Sequence, residues 1–263
     1  MKKFITLLLC MGSLLLWQAG AEKVKKTKSA QSNFQSKLQS KFIEKKESKM
    51  EVLPLEKIEN SSLAEEIYIE ENFYISQISD QLFAKMWKKS FKEDCTLPRS
   101  QLRYLHFLHK NLSGQTMEGE LVCNEKIADL LLLIFKELYK ASYPIEKIRL
   151  IDEYDADDEA SMSDNNSSCF NFRFISHTKK ISLHGQGLAV DINPLYNPYF
   201  KKVGGKTVVE PAASEPYLDR SKDFPYKIHR NDLAFLLFSK YGFEWGGSWS
   251  DRKDYQHFEW NKD

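Results

Sequence analysis

The most informative segment of this chain runs from Ser182 to Pro194 and reads SLHGQGLAVDINP. The glycines at 185 and 187 let the backbone bend sharply after His184, because glycine adopts conformations that other residues avoid. The apolar residues that follow are typical of a buried strand, and Asp191 lies within it. The segment therefore predicts a histidine on a turn and an aspartate on the adjoining strand, which Pro194 ends.

A second informative segment lies near the C-terminus, where residues 253–260 read KDYQHFEW. The two segments together offer two imidazoles and a carboxylate, from His184, His257 and Asp191, and these groups suit Zn²⁺. Three protein ligands leave a fourth position for water, as in catalytic rather than structural zinc sites. Spacing alone does not decide the matter, because a histidine or aspartate beside glycines is more often an ordinary turn residue.

The two segments also carry the signatures of a known enzyme family. Residues 182–191 match the pattern SxHxxGxAxD and residues 254–259 match DxxHFE. Their order and separation resemble those of the zinc D-alanyl-D-alanine carboxypeptidases and dipeptidases, the group that contains the vancomycin-resistance peptidases. The chain resembles a secreted branch of this group over roughly residues 85–260, with further short matches at residues 119–122, 143–145, 157–162, 165–166, 170–173, 197–199, 217–220 and 245–247.

This resemblance implies a catalytic metal centre. It implies one zinc ion per chain, bound by His184, Asp191 and His257. Asp254 would be the general base, which takes a proton from a metal-activated water and passes it to the leaving amine. Arg173 would bind the scissile carbonyl and the developing oxyanion; without the resemblance, a surface salt bridge would be the preferred interpretation of this arginine.

Three more residues are candidates for contacting the substrate or orienting a ligand. By resemblance, Ser161 and the acidic loop before it border the substrate cleft, and Ser182 hydrogen-bonds near the metal or the substrate. Glu259 shares a strand face with His257 and competes with Asp254 as the base, but we interpret it as a partner that orients a metal ligand. Because residues 254 and 257 would face opposite ways on a regular strand, Asp254 is predicted to lie in the loop that leads into the strand of His257.

The function that the resemblance implies is hydrolysis of the peptide stems of bacterial peptidoglycan, most similar to a D-alanyl-D-alanine carboxypeptidase. An L-Ala-D-Glu bond or a cross-link is an alternative target, because the family contains enzymes of differing specificity. A different class of function is a non-catalytic, zinc-stabilised domain for wall binding or signalling, since one scaffold can serve binding as well as catalysis. The presence of both Asp254 and Arg173 favours the enzyme, because zinc binding alone requires neither.

The apolar pattern predicts the main elements of the fold. Helical spacing is clearest over Glu125–Ser142 and Asn231–Tyr241 and mixed over Ile67–Phe91, and strands are predicted at Leu121–Cys123 and Ile145–Ile151. These elements do not alternate regularly as in a wound parallel sheet, so an α+β fold is favoured, with a small, mainly antiparallel sheet flanked by helices. The resemblance implies the zinc D-Ala-D-Ala peptidase or hedgehog-like fold for residues 65–263.

The N-terminus predicts export. Residues 1–21 combine Lys2 and Lys3, the apolar run Phe4–Trp17 and a final Ala-Gly-Ala, as a signal peptide does. The apolar run is too short to span a bilayer comfortably, which favours cleavage over retention as an anchor. The mature protein is therefore expected in the periplasm or cell envelope, as a monomer without a transmembrane helix.

The charge is unevenly distributed, although the whole chain has 38 Lys+Arg, 37 Asp+Glu and a net charge of +1. Residues 22–64 are predicted to be a basic, disordered stalk, because residues 22–50 hold nine lysines, three glutamates and few apolar side chains. The remaining residues are acidic overall, so a nucleic-acid partner is not expected. Export permits disulfides, but Cys95, Cys123 and Cys169 fit either one bridge or three free thiols.

Overall fold

Residues 64, 66–175 and 178–262 are described by a computed structural model of the protein. Ala64–Asp263 cluster as one unit. The signal peptide predicted at residues 1–21 and all but residue 64 of the stalk predicted at residues 22–64 lie outside the described residues, so both stay predictions. Among the helices that are described, none has the length and apolar character needed to cross a membrane.

The first part of the described chain forms a three-stranded antiparallel sheet, whose strands lie in the order β1 (Tyr74–Gln77), β2 (Leu102–Lys110) and β3 (Thr116–Asn124). Residues 66–72 are helical, and α1 (Asp80–Met86) follows β1. The segment Ile67–Phe91, for which the sequence showed mixed helical spacing, therefore contains a helix, a strand and a second helix in succession. The strand predicted at Leu121–Cys123 is confirmed and forms the buried end of β3.

The helix α2 (Glu125–Lys140) packs on this sheet. Its first turn is capped by Asn124, whose side-chain oxygen accepts a hydrogen bond from the backbone N–H of Lys126. The ring of Phe135 stacks on that of Phe107 in β2, with the centroids 4.2 Å apart. The predicted helix is therefore confirmed, although it ends at Lys140 because Ser142 adopts a left-handed conformation with φ of 54°.

Two groups of short strands build the part of the molecule that carries the predicted ligands. One is antiparallel in the order β6-β11-β9, and the other is antiparallel in the order β10-β7-β8. The strands are β6 (Ala189–Asp191), β7 (Tyr199–Val203), β8 (Lys206–Glu210), β9 (Glu244–Trp245), β10 (Lys253–Asp254) and β11 (His257–Glu259).

A second long helical prediction is also confirmed, as α4 (Leu233–Lys240), which begins after the capping residue Asp232. The ring of Phe238 on this helix stacks on Phe258 of β11 with the centroids 4.2 Å apart. The same ring meets Phe135 of α2 edge-on at 6.5 Å. This aromatic chain joins the β6-β11-β9 sheet to the core formed by α2.

The strand predicted at Ile145–Ile151 is mostly wrong. Only β4 (Lys147–Ile148) pairs, in parallel with β5 (Asn166–Ser167). The Asn166 side chain accepts a hydrogen bond from the backbone N–H of Arg149 at 2.8 Å and donates one to the carbonyl oxygen of Arg149 at 3.1 Å. These backbone groups are therefore not available to a neighbouring strand. The chain then forms a 3-10 turn at Ile151–Tyr154 and α3 (Asp158–Ser163). The alternating pattern reflects burial of side chains rather than a strand ladder.

The described residues confirm the α+β class with small antiparallel sheets and several helices. The finer likeness to a hedgehog-like fold stays a prediction. Cys95, Cys123 and Cys169 are all free thiols, which decides between the two alternatives left open by the sequence.

Candidate metal centre and its cavity

The pairing of β6 with β11 brings the two sequence signatures together. Asp191 lies directly opposite His257 in the antiparallel register of these strands. His184 comes from the turn before β6, in which the Ser182 hydroxyl accepts a hydrogen bond from the N–H of Gly185 at 2.9 Å. The turn then passes through Gly187, whose φ of 67° lies in the left-handed region that glycine tolerates best. The sequence-predicted turn and strand are therefore both present.

Three side chains, those of His184, Asp191 and His257, form a compact triangle in this turn and strand pair, and both carboxylate oxygens of Asp191 take part. His184 Nε2 lies 3.1 Å from Asp191 Oδ2 and 3.1 Å from His257 Nδ1. His257 Nδ1 lies 3.0 Å from Asp191 Oδ1. Ligand atoms placed tetrahedrally around zinc at its usual bond lengths are about 3.3 Å apart. Among the described residues, these three buried side chains are the group of His, Cys, Asp and Glu placed closely enough to share a metal ion.

The tautomer of each histidine is set by a partner on its other ring nitrogen. His184 Nδ1 lies 2.7 Å from the carbonyl oxygen of Cys169, so Nδ1 carries the hydrogen and Nε2 faces the triangle as a lone pair. His257 Nε2 lies 3.1 Å from Oε2 of Glu259, which accepts its hydrogen and directs Nδ1 towards the triangle. Such partners are typical of histidines that bind zinc.

The three side chains of the triangle shift one another's pKa values. Burial alone would lower the pKa of His257, but hydrogen bonds to Asp191 and Glu259 raise it to about 10. Burial would raise the pKa of Asp191, but the two histidines hold it well below its usual range. Both carboxylates thus favour a protonated His257 in the absence of an ion. A metal ion that binds Nδ1 of His257 must therefore displace the proton from this nitrogen.

Asp254 lies beside this triangle on a different sheet. It ends β10, opposite Tyr199 of β7, and two residues separate it from His257. The sequence predicted a loop position, whereas the structure shows the end of a short strand followed by a two-residue link. The link turns the chain far enough for Asp254 and His257 to line the same cavity.

The carboxyl group of Asp254 has the environment of a proton acceptor. Its Oδ1 atom is shielded from solvent and has no hydrogen-bond partner within the described part of the chain. Burial raises the pKa of this carboxyl to about 7, against the opposing effect of His257. Asp254 also packs closely on Gly246, since a Cβ on residue 246 would lie 2.7 Å from the backbone carbonyl oxygen of Asp254 and 2.8 Å from its Cβ.

Arg173 reaches the same cavity from the segment before the first signature. Its Nε donates to Oδ2 of Asp158 at 3.1 Å, and Nδ2 of Asn171 donates to the other oxygen of that carboxylate at 2.9 Å. The side chain of Arg173 is 31% exposed. The salt bridge that the sequence offered as the plain interpretation therefore exists, but it holds the guanidinium at the cavity wall rather than on the outer surface.

The cavity has a volume of about 930 Å³ and opens to solvent. It unites the predicted metal ligands with Asp254, Arg173, Ser182 and Glu259. Ser161 is not at its wall: this residue is fully buried, and its hydroxyl accepts a hydrogen bond from Asn166. The remaining lining residues are Asp158, Met162, Phe174, Ile175, Lys180, Ile181, Leu183, Tyr199, Lys201, Lys202, Glu210, Trp249, Asp251, Arg252, Gln256 and Asn261.

Two kinds of site residue were missed by reasoning from the sequence. The carbonyl of Cys169 orients His184, and a backbone group leaves no trace in residue identity. Trp249 lies at the cavity wall with its ring centroid 5.5 Å from that of His257, and the guanidinium carbon of Arg252 lies over the Trp249 ring, 4.4 Å from its centroid. The position of Trp249 just after Gly246 and Gly247 is a weak sequence signal for a cleft, because an aromatic residue beside glycines is more often explained by packing.

Comparison with known proteins agrees with the sequence signatures. Residues 176–260 match the family model described as D-alanyl-D-alanine carboxypeptidase. The match spans less than half of the chain; it includes the three candidate ligands and Asp254 but not Arg173. It confirms the resemblance to the zinc D-Ala-D-Ala peptidase family within that segment. Comparisons with curated proteins and with solved structures gave no significant match. The findings thus support a peptidase segment with a His-Asp-His group able to hold a metal ion.

Proposed function

We propose that the protein is a zinc-dependent peptidase that hydrolyses the peptide stems of bacterial peptidoglycan, with D-alanyl-D-alanine carboxypeptidase activity as its expected specificity. One observation carries the proposal: a buried triangle of metal donors shares its cavity with the Asp254 carboxyl, one oxygen of which has no partner in the described chain. A domain that only binds zinc would not need such a carboxyl. The match to a peptidase family model supports the same class.

The donor set fits zinc in kind and in arrangement. His184 and His257 offer nitrogen atoms whose direction is set by Cys169 and Glu259, and Asp191 adds a negatively charged oxygen. Three ligands leave room for a reacting group, as catalytic zinc sites require. When bound there, zinc would supply Lewis acidity, which acidifies water and polarises a carbonyl group.

Asp254 is the proposed general base. With a pKa near 7, an appreciable fraction of this carboxyl is ionised at neutral pH and can accept a proton. The same group, once protonated, can give the proton to the amine that leaves when the peptide bond breaks. Its position at the end of β10 places it at the cavity, where its Oδ1 atom has no hydrogen-bond partner among the described residues.

Glu259 is less suited to that task, because its carboxylate already accepts the Nε2 hydrogen of His257. Its pKa is held low by that histidine although burial opposes this. A base that moved to take a proton from elsewhere would release the ring that it orients. We therefore assign Glu259 the positioning role and Asp254 the proton transfer.

Arg173 is the proposed partner of the substrate carbonyl. Asp158 binds its Nε, and this contact leaves donors of the guanidinium fork to face the cavity. Arginine keeps its charge at any working pH, so it can stabilise an oxyanion throughout the reaction. The pairing with Asp158 restricts the side chain before substrate binds, which lowers the cost of orienting it during the reaction.

The proposal requires the protein to leave the cytoplasm, since peptidoglycan lies outside the inner membrane. The signal peptide predicted at residues 1–21 and the basic residues 22–50 that follow it in the sequence are consistent with export to the cell envelope. The substrate is a peptide, and neither a nucleic acid nor a second protein chain is part of the proposal.

The deciding experiment is mass spectrometry of muropeptides after digestion by the purified protein. Three samples are compared: zinc-loaded protein, protein treated with a chelator, and chelated protein with zinc restored. Loss of a terminal D-alanine in the first and third samples alone is the expected result. Release of L-alanine-containing or cross-linked fragments instead would support a peptidase that cleaves a different bond.

An Asp254→Asn variant provides the matched control, because it preserves the size of the side chain and removes its basicity. We expect this variant to bind zinc and to lose at least about 100-fold in turnover. Zinc-loaded wild-type protein that binds muropeptides but cleaves none of them would refute the enzyme and support a wall-binding domain.

A further inference from the structure

The hairpin formed by β7 and β8 pairs through β7 with β10, the strand that carries Asp254. In the register of this sheet Asp254 lies opposite Tyr199, and Tyr199 lies opposite Glu210. Lys201 and Lys202 follow on β7 and line the same cavity as the metal donors. Two strands that share hydrogen bonds keep a fixed spacing, so these lysines have a defined distance from the proposed base.

Three lysines line the cavity, Lys180, Lys201 and Lys202, and none of them has a carboxylate partner among the described residues, whereas both arginines of the cavity do; only Lys201 and Lys202 lie on β7, the strand paired with that of Asp254. Arg173 pairs with Asp158, and Arg252 pairs with Asp251 at 2.6 Å. Neither Lys201 nor Lys202 makes an ion pair with any residue that the structure describes. Lys201 is half-buried, with its ammonium 5.9 Å from the centroid of the Tyr199 ring, whereas Lys202 is exposed. Both ammonium groups are therefore available to a ligand in the cavity.

The spacing along the sheet indicates where on a substrate the two lysines would act. Adjacent strands lie about 4.8 Å apart, and Lys201 is two residues, or about 6.6 Å, along β7 from the position opposite Asp254; because these two displacements are at right angles, the two backbone positions are about 8 Å apart. An extended peptide advances about 3.3 Å per residue, so a substrate held at Asp254 would reach Lys201 with a group two or three residues away.

We propose that Lys201 and Lys202 bind a free carboxylate of the substrate, located two or three residues from the bond that is cleaved. This inference rests on the proposed function and specifies its substrate as an acidic peptide. A γ-linked glutamate, whose α-carboxylate is left free, is a residue of the required chemistry. The pair of ammonium groups selects the acid over its neutral amide, and Arg173 remains assigned to the scissile carbonyl.

The test uses two synthetic peptides with the same cleavable bond. One has a free carboxylate two or three residues before that bond, and the other has a carboxamide at the same atom. Hydrolysis by zinc-loaded protein gives kcat and KM for each peptide. Binding of both peptides to the Asp254→Asn variant, measured by calorimetry, gives a second readout that does not depend on turnover.

The variants are Lys201→Ala/Lys202→Ala and the charge reversal Lys201→Glu/Lys202→Glu. Lys206→Ala is the control, because Lys206 lies on β8 of the same hairpin but not at the cavity wall. We expect wild-type protein to prefer the acidic peptide by about 5- to 20-fold, mainly through KM, since a partly exposed ion pair contributes modestly and two act here. The double alanine variant should lose this preference with kcat little changed, and the charge reversal should invert it.

Equal binding and equal KM for the two peptides in wild-type protein would refute the proposal, as would an equal loss of preference in the Lys206 control. These results differ from failure of the proposed function, in which zinc-loaded wild-type protein cleaves neither peptide. In that case the preference in binding still decides whether the lysines recognise a carboxylate.

Discussion

Replacing Glu259 separates the two tasks that a carboxylate can perform beside this candidate metal centre. Its Oε2 atom accepts the Nε2 hydrogen of His257 at 3.1 Å, and its side chain is only 13% exposed. A Glu259→Ala variant removes the acceptor and leaves the ring of His257 free to take the other tautomer or to rotate. Loss of such an orienting partner typically lowers metal affinity by about 10- to 100-fold, which corresponds to about 1.4 to 2.7 kcal/mol.

The size of this loss should depend on pH in a defined direction. Glu259 helps to raise the pKa of His257, so its removal also weakens the competition of the proton for Nδ1. That second effect favours zinc and partly offsets the loss of orientation at neutral pH. The net loss of affinity is therefore expected to grow as the pH rises, because proton competition then contributes less.

The assay combines zinc titration against a competing chelator with turnover at saturating zinc. We expect Glu259→Ala to bind zinc weakly yet to keep turnover within about tenfold of wild type once zinc is saturating, whereas Asp254→Asn loses at least about 100-fold. Glu259→Gln retains an oxygen acceptor for His257 and is expected to fall between wild type and Glu259→Ala in zinc affinity. The opposite pattern would refute the assignment: normal zinc affinity in Glu259→Gln with turnover abolished would identify Glu259 as the base.

Two further predictions follow from the pKa of His257 and from the turn before β6. Zinc affinity should rise with pH by up to about tenfold per unit below pH 10, because the ion-free ring of His257 has a pKa of about 10 and must lose its proton to bind metal. Calorimetry in two buffers of different ionisation enthalpy should count about one proton released near pH 8, and an affinity independent of pH would contradict the assignment. Gly187→Ala should lower the free energy of unfolding, measured with denaturant, more than Gly204→Ala does. Both glycines have positive φ, which costs alanine about 1 kcal/mol. Only at residue 187 would the new Cβ also meet a backbone atom, the amide nitrogen of Asn124 at 2.7 Å. Equal destabilisation would show that this close approach is relieved at no cost.

The candidate metal donors were predictable because their chemistry and spacing are local properties of two short segments. Glycines around His184 and a run of apolar residues before Asp191 are visible in the sequence, and the structure shows the turn and the strand that they predict. The helix at residues 125–140 was predictable for the same reason, since its apolar face repeats over several turns.

The surroundings of these residues were harder to predict, because the strands that build them are very short. β10 has two residues, too few for any alternating pattern, and so the strand position of Asp254 could not be distinguished from a loop. The buried position of Ser161 depends on a side-chain contact with Asn166, and the orientation of His184 depends on a backbone carbonyl. Contacts of these kinds arise from the folded chain and have no signature in residue order.

The two-residue link between β10 and β11 determines how the proposed base and the metal donors are placed relative to one another. The N–H of Tyr255 donates to the carbonyl of Pro198, next to β7, and the carbonyl of Gln256 accepts the N–H of Ile192, next to β6. The carbonyl of Tyr255 also accepts the indole N–H of Trp245 at 2.8 Å. Each end of the link is thus bonded to a different sheet, so the separation of Asp254 from His257 is fixed by backbone contacts rather than by a free loop.

Under the proposed function, the same arrangement would connect catalysis with substrate selection. β7 holds Asp254 through its pairing with β10, and it also carries Lys201 two residues further along. A substrate carboxylate bound at Lys201 would therefore be held at a set distance from the proposed base. Under the proposed function, the position of cleavage would be counted from that carboxylate along the peptide, and the identity of the residues between them would matter less than their number.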